Sequence, residues 1–414
     1  MMLSQSAIAM APPFSLVSKF FVAAAVALLA SMSALPFVGT QLPLLAFPVA
    51  GFIHLYLLGF VMMVIVGALY QLVPVVLEAP FFTLKGSAAL FYAYGLGVVA
   101  LSAGMMLEIT ALMHAGGGLV YLSLAAFTVL FLLSFTGVTR WSFVTVCLLV
   151  AGVALFVGVS LGMVLLVAMS GGGLDVDVVG LLMKHAVFSL GGFVMLVVMG
   201  VSLVLLPMFS LSHGVSTLYT KVALGAFVAG FGCALGDAFG AMWVFLGLGL
   251  LLYVAQSAHI LLRRMRKKKE YWFYNVVFAL ASIVGAVGLG AWGLIGGDEE
   301  VYKVALFLFL VGFGFHFVAG HLYKILPFLV WYEFIAPLVG KQKVPMLHEM
   351  IAERFAYAQL ILGASGTVFF CAGMLLQINL LQVSGGVLLT LGTWALCAVL
   401  VKAYGFKTLG EKNA

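Results

Sequence analysis

Four histidines stand inside long apolar runs of this 414-residue chain: His54, His185, His316 and His321. A neutral imidazole offers a nitrogen lone pair to a metal or an exchangeable proton to a relay. Ionisable groups in apolar segments are costly, and such residues commonly mark functional sites. His54 opens the stretch HLYLLGFVMMVIVGALYQLVP at 54–74 and is the first candidate for a cofactor ligand. Its alternative is a structural role near the headgroups, satisfied by water or a carbonyl. His185 follows Lys184 at the edge of its run and has an interfacial alternative. His316 and His321 are five residues apart, which turns them roughly 140° from one another on a helix. They are therefore no one-face metal pair of the i, i+4 kind. With Tyr323 and Lys324 they make GHLYKILPFLVWYE dense in polar groups, a candidate path for protons or ions or a set of bonds between helices. Lys324 is placed to snorkel to the inner surface.

Other chemistries find no support. His114, His213, His259 and His348 fall at the ends of runs or between them, where solvation is expected. No phosphate loop ending in GK[ST], no HExxH and no Ser-His-Asp set is present. Cys147, Cys233, Cys371 and Cys397 share no CxxC spacing and read as small apolar packing residues.

The elements that must position these side chains follow from composition. Hydrophobic residues are 65% of the chain and charged residues 8%, against about a quarter charged in soluble domains. An all-α integral membrane protein is expected. Stretches of about 20 apolar residues predict twelve transmembrane helices near 17–37, 49–76, 87–108, 117–138, 141–169, 179–209, 217–236, 240–262, 271–294, 301–331, 355–377 and 379–405. The basic connections carry Lys85, Arg140, Lys221, RRMRKKK at 263–269, Lys341, Lys343 and Arg354, and the tail adds Lys402, Lys407 and Lys412. All fall on one side of a twelve-helix chain, while Asp175, Asp177, Asp237, Asp298, Glu299 and Glu300 fall on the other. The positive-inside bias then puts both termini in the cytoplasm. The net charge of +6 is read as topology, and no nucleic-acid partner is implied, because the basic run lacks interleaved aromatics.

Three of the predicted helices carry one pattern. They end near Pro74, Pro207 and Pro327, and fifteen residues earlier each has Gly-Phe: Gly59-Phe60, Gly192-Phe193 and Gly312-Phe313. Seven residues before each proline is another glycine, Gly67, Gly200 or Gly320. Tyr70 and Tyr323 stand four before the proline in the first and third copies, with Leu203 in the second. The prolines are 133 and 120 residues apart, so each repeat holds four helices and returns the chain to the same side. One transmembrane domain, residues 1–414, is therefore expected to comprise three parallel four-helix repeats with pseudo-threefold symmetry, about 17–138, 141–262 and 271–405. Glycines at a fixed depth let helices approach, and each proline is expected to end its helix.

Twelve helices in three parallel units, with HLYLLGFVMMVIVGALYQLVP and HLYKILPFLVW among them, resemble the catalytic subunit of heme–copper oxidases, most closely its C-type (cbb-type) branch. As architecture the resemblance spans the chain; its sharp motifs cover three helices. It implies a prokaryotic cytoplasmic-membrane protein of respiration, working with other membrane subunits or a cytochrome. Such oxidases use six histidines, three of them for copper on the sixth and seventh helices. Here the seventh predicted helix has no histidine, so a copper site of the family type is not assembled. The tenth has Phe307 twenty residues before its proline, where the second has His54. His316 and His321 come eleven and six before Pro327, roughly 13 and 21 Å deeper than the His54 level at the α-helical rise. His185, twenty-two before Pro207, lies within roughly 3 Å of that level.

The expectation is a heme–copper-oxidase-like protein without oxygen reduction, keeping one b-type heme at His54 and His185 for electron transfer or for heme or nitric-oxide handling. The alternative is a cofactor-free transporter of protons, metal or small solutes, or an oxidase assembly partner, on the same scaffold.

Overall fold

The computed structural model describes residues 10, 12–37 and 42–411, so Lys412 lies outside the described residues. All regular structure among them is helical. Among the described residues, twelve helices are long and apolar enough to cross a bilayer. In chain order they are α1 Phe14–Phe37, α2 Phe47–Val76, α3 Ser87–Met106, α4 Thr110–Gly137, α5 Phe143–Met169, α6 Val178–Ser210, α7 Leu218–Leu235, α8 Phe239–Leu262, α9 Tyr271–Gly296, α10 Glu299–Leu338, α11 Glu353–Leu375 and α12 Asn379–Leu409. The expected multi-pass helical class is thus observed.

Polar caps start several of these helices where the apolar runs alone did not fix a boundary. Ser142 Oγ accepts from Thr145 N at 3.1 Å and closes a capping box at α5. Asp177 caps α6 through Gly180 N, and Asp298 caps α10 through Glu300 N.

Two expectations of detail are corrected. α4 begins at Thr110, seven residues before the predicted start, because its glycines are needed inside the helix: a Cβ on Gly116 would lie 2.2 Å from Leu101 N of α3. The prolines do not end their helices. Pro74, Pro207 and Pro327 are internal, and the helix runs on to Val76, Ser210 and Leu338 respectively. Each removes one N–H donor, the one that would reach back to Tyr70, Leu203 or Tyr323, and membrane helices tolerate that loss where neighbours enclose the turn.

The sequence pattern is matched by a recurring local structure. Wide π-helical turns occupy Leu57–Met62, Val187–Val194 and Leu308–Phe315, and each contains the Gly-Phe pair of its helix. The glycine lets a neighbour press in: a Cβ on Gly192 would lie 2.5 Å from Ala154 Cβ, and one on Gly312 would lie 2.7 Å from Ser282 Oγ. A second recurrence joins α3 to α4, α7 to α8 and α11 to α12. Glu108, Asp237 and Gln377 turn the chain at φ 56°, 57° and 57°. The next amide bonds back five residues each time, Ile109 N to Gly104 O, Ala238 N to Cys233 O and Ile378 N to Gly373 O, at 2.8–2.9 Å.

The described residues fall into two compact units, one within 1–23 and 45–266, the other within 24–44 and 267–414. In the first, α1 packs on α2 through Phe20, whose ring centroid is 5.8 Å from that of Tyr70. Tyr94 Oη of α3 donates to Leu58 O in the π turn of α2 at 2.7 Å. In the second, the end of the first helix meets α12, where Thr390 Oγ1 donates to Met32 O at 2.8 Å.

Candidate functional site

His54 and His185 come together within the first unit. Each stands seven residues into its helix, counting from Phe47 and from Val178, which places both imidazoles roughly 10 Å from the helix start. Their ring centroids are 6.3 Å apart and their planes are within 12° of parallel. The level match expected from sequence is therefore joined by a facing that sequence did not provide.

Backbone carbonyls orient both rings. His54 Nδ1 lies 2.7 Å from Ala50 O, one turn back on its own helix. His185 Nδ1 lies 2.8 Å from Gly158 O on α5. A carbonyl only accepts, so Nδ1 carries the hydrogen in both residues and Nε2 keeps its lone pair. This is the arrangement by which metal-binding histidines are held from behind. Both residues are only half-buried.

The spacing decides what this pair suits. A nitrogen of a five-membered ring with bonds near 1.33 Å lies about 1.1 Å from the centroid. With metal–nitrogen bonds of about 2 Å, two imidazoles on opposite sides of one metal have centroids roughly 6.3 Å apart. The observed centroid separation equals that value. Among the described residues no cluster of three or more His, Cys, Asp or Glu side chains forms a metal cage. Two imidazoles at this spacing without a third protein ligand would suit a metal that comes with most of its own ligands, as in a porphyrin. The pair is flanked at the same membrane face by Lys184, whose Nζ lies 2.8 Å from Asp237 Oδ1.

The polar-pathway candidates lie in the second unit and divide into separate settings. His316 is fully buried, and its Nδ1 is 2.8 Å from Asn275 Oδ1 on α9. Asn275 Nδ2 donates to Gln359 Oε1 on α11 at 3.1 Å, and Tyr323 Oη donates to the same Oε1 at 3.0 Å. All four side chains are buried. The donors of His316 and Tyr323 thus converge on two amides, which hold protons fixed rather than pass them on. The arrangement clasps α9, α10 and α11 together. His321 turns elsewhere: its Nδ1 bonds Phe317 O at 2.7 Å and its ring stands edge-on to Trp272. Lys324 does more than snorkel, because its Nζ is 2.5 Å from Glu270 Oε2, both side chains being largely buried.

Asn275, Gln359, Glu270 and the glycines of α5 were missed in the sequence. Amides within apolar runs were the available signal for the first two. His114 also departs from expectation: it lies on α4, with Nε2 2.6 Å from Ser170 Oγ.

No protein-family model matches the chain, and no curated protein matches it.

Proposed function

We propose that His54 and His185 hold one b-type heme between them and that the protein serves electron transfer in a prokaryotic cytoplasmic membrane. The single observation that carries this reading is the pair of parallel imidazoles 6.3 Å apart, each with Nδ1 bound to a carbonyl. A heme so held supplies a one-electron couple. His54 and His185 would hold the group through Nε2, and two protein ligands suit electron transfer better than binding of oxygen or nitric oxide. The scaffold is read as a relative of heme–copper oxidase catalytic subunits: three parallel four-helix units about a pseudo-threefold axis, without the copper site and without oxygen reduction. The repeated Gly-Phe π turns and the repeated connections support it. Both termini are assigned to the cytoplasm, and the redox partner is another respiratory subunit or a cytochrome.

The proposal is checked by purifying the chain from heme-replete cells and recording reduced-minus-oxidised spectra. A b-type α band is expected in the wild type and is lost in His54→Ala and in His185→Ala. No Soret absorption in the wild type would end the heme reading, and solute uptake into proteoliposomes that disappears in His321→Ala would then favour a transporter.

A further inference from the structure

The two imidazoles are oriented by different means. His54 bonds a carbonyl of its own helix, so its setting is local. His185 depends on α5, where Gly158 and Gly162 lie one turn apart on the same face of the helix. Gly158 supplies the carbonyl that takes the Nδ1 hydrogen. Gly162 supplies the space: a Cβ there would lie 2.6 Å from His185 Cε1, 2.9 Å from Nδ1 and 3.5 Å from Nε2. A Cβ on Gly158 would lie 2.6 Å from Ser189 Oγ and would push α6 away from the carbonyl.

Small residues in membrane helices commonly serve close packing alone. Gly152, two turns earlier on α5, does that, because a Cβ there would lie 2.7 Å from Leu132 Cδ2. Gly162 differs in what it faces, since its missing side chain is replaced by the imidazole ring itself.

Resting on the reading of His54 and His185 as heme ligands, we propose that Gly158 and Gly162 are positioning residues that fix the plane of the His185 ring. Through that plane they set the near-parallel alignment of the two ligands. Ring alignment governs the splitting of the iron d orbitals in a low-spin ferric heme. Its readout is the g anisotropy in electron paramagnetic resonance, which packing alone does not move.

Gly162→Ala is therefore expected to shift the largest g value of the bound heme and its midpoint potential, whereas Gly152→Ala lowers thermal stability and leaves both unchanged. Heme-loaded wild type with an unaltered signal in Gly162→Ala would overturn the proposal while leaving the heme reading intact. Wild type without heme would overturn both. Should Gly162→Ala fail to fold, His185→Gly supplied with free imidazole tests the same notch. Imidazole can donate to Gly158 O and restores the low-spin signal, but 1-methylimidazole lacks that hydrogen and is expected to bind about tenfold more weakly, the loss of one hydrogen bond. Equal binding of the two would overturn the proposal.

Discussion

At the scale of single residues, chemistry is decided by what stands behind each imidazole. The carbonyls of Ala50 and Gly158 take the Nδ1 hydrogens of His54 and His185 and leave both Nε2 lone pairs for the proposed heme. His316 presents Nδ1 to Asn275, and its ring is packed against Gly363, whose Cβ would lie 3.0 Å from Cε1. The first pair suits coordination; the second residue is a strut. Gln359→Leu should therefore leave the spectrum of the proposed heme unchanged while removing one of the two bonds of Asn275 Nδ2 and the acceptor of the Tyr323 hydroxyl. The expected cost is about 1–2 kcal/mol, measured as a lowered unfolding midpoint in mixed micelles. A lost heme band with unchanged stability would contradict this division of roles. The histidines were legible in sequence because an ionisable group stands out against an apolar run. Their facing was not, because it depends on helix azimuth and on a contact to α5 that no local pattern encodes.

At the scale of elements, glycine decides how closely helices pair. The α3–α4 and α11–α12 hairpins have equivalent contacts: Gly116 on Leu101 N, and Gly385 on Phe370 N. Gly385 follows Gly116 by 269 positions and Phe370 follows Leu101 by the same 269. The shared signature AGMMLEI at 103–109 and AGMLLQI at 372–378 marks the same equivalence in the sequence. Gly116→Ala and Gly385→Ala meet backbone that cannot step aside, and each should cost about 1–3 kcal/mol or more. Gly118→Ala enters open space and should be neutral. Equal thermal stability of all three variants would contradict the close-approach account. The π turns were unreadable beforehand because an inserted wide turn changes the helix without changing residue type. The prolines misled because a bilayer helix can absorb a missing donor that would end a helix in water.

At the scale of the whole molecule, the twelve apolar helices were plain from composition, and the charges on their connections give a direction. Residues 263–269, Lys341 and Lys343 lie on connections that follow even-numbered helices, while Asp175, Asp237 and Asp298 follow odd-numbered ones. A membrane-impermeant maleimide should label Lys268→Cys only in inverted vesicles and Asp298→Cys only from the outside of intact cells. The reverse pattern would overturn the assigned orientation. His54 and His185 then lie near the outer face, so a redox partner is expected to approach from that side.

Near-infrared magnetic circular dichroism of the oxidised, purified protein bears most directly on the central claim, because the charge-transfer band of a low-spin ferric heme reports both axial ligands. A bis-histidine band in the wild type that vanishes in His54→Ala and in His185→Ala is the predicted result. A band from any other ligand pair, or a bis-histidine band that survives either substitution, would contradict it.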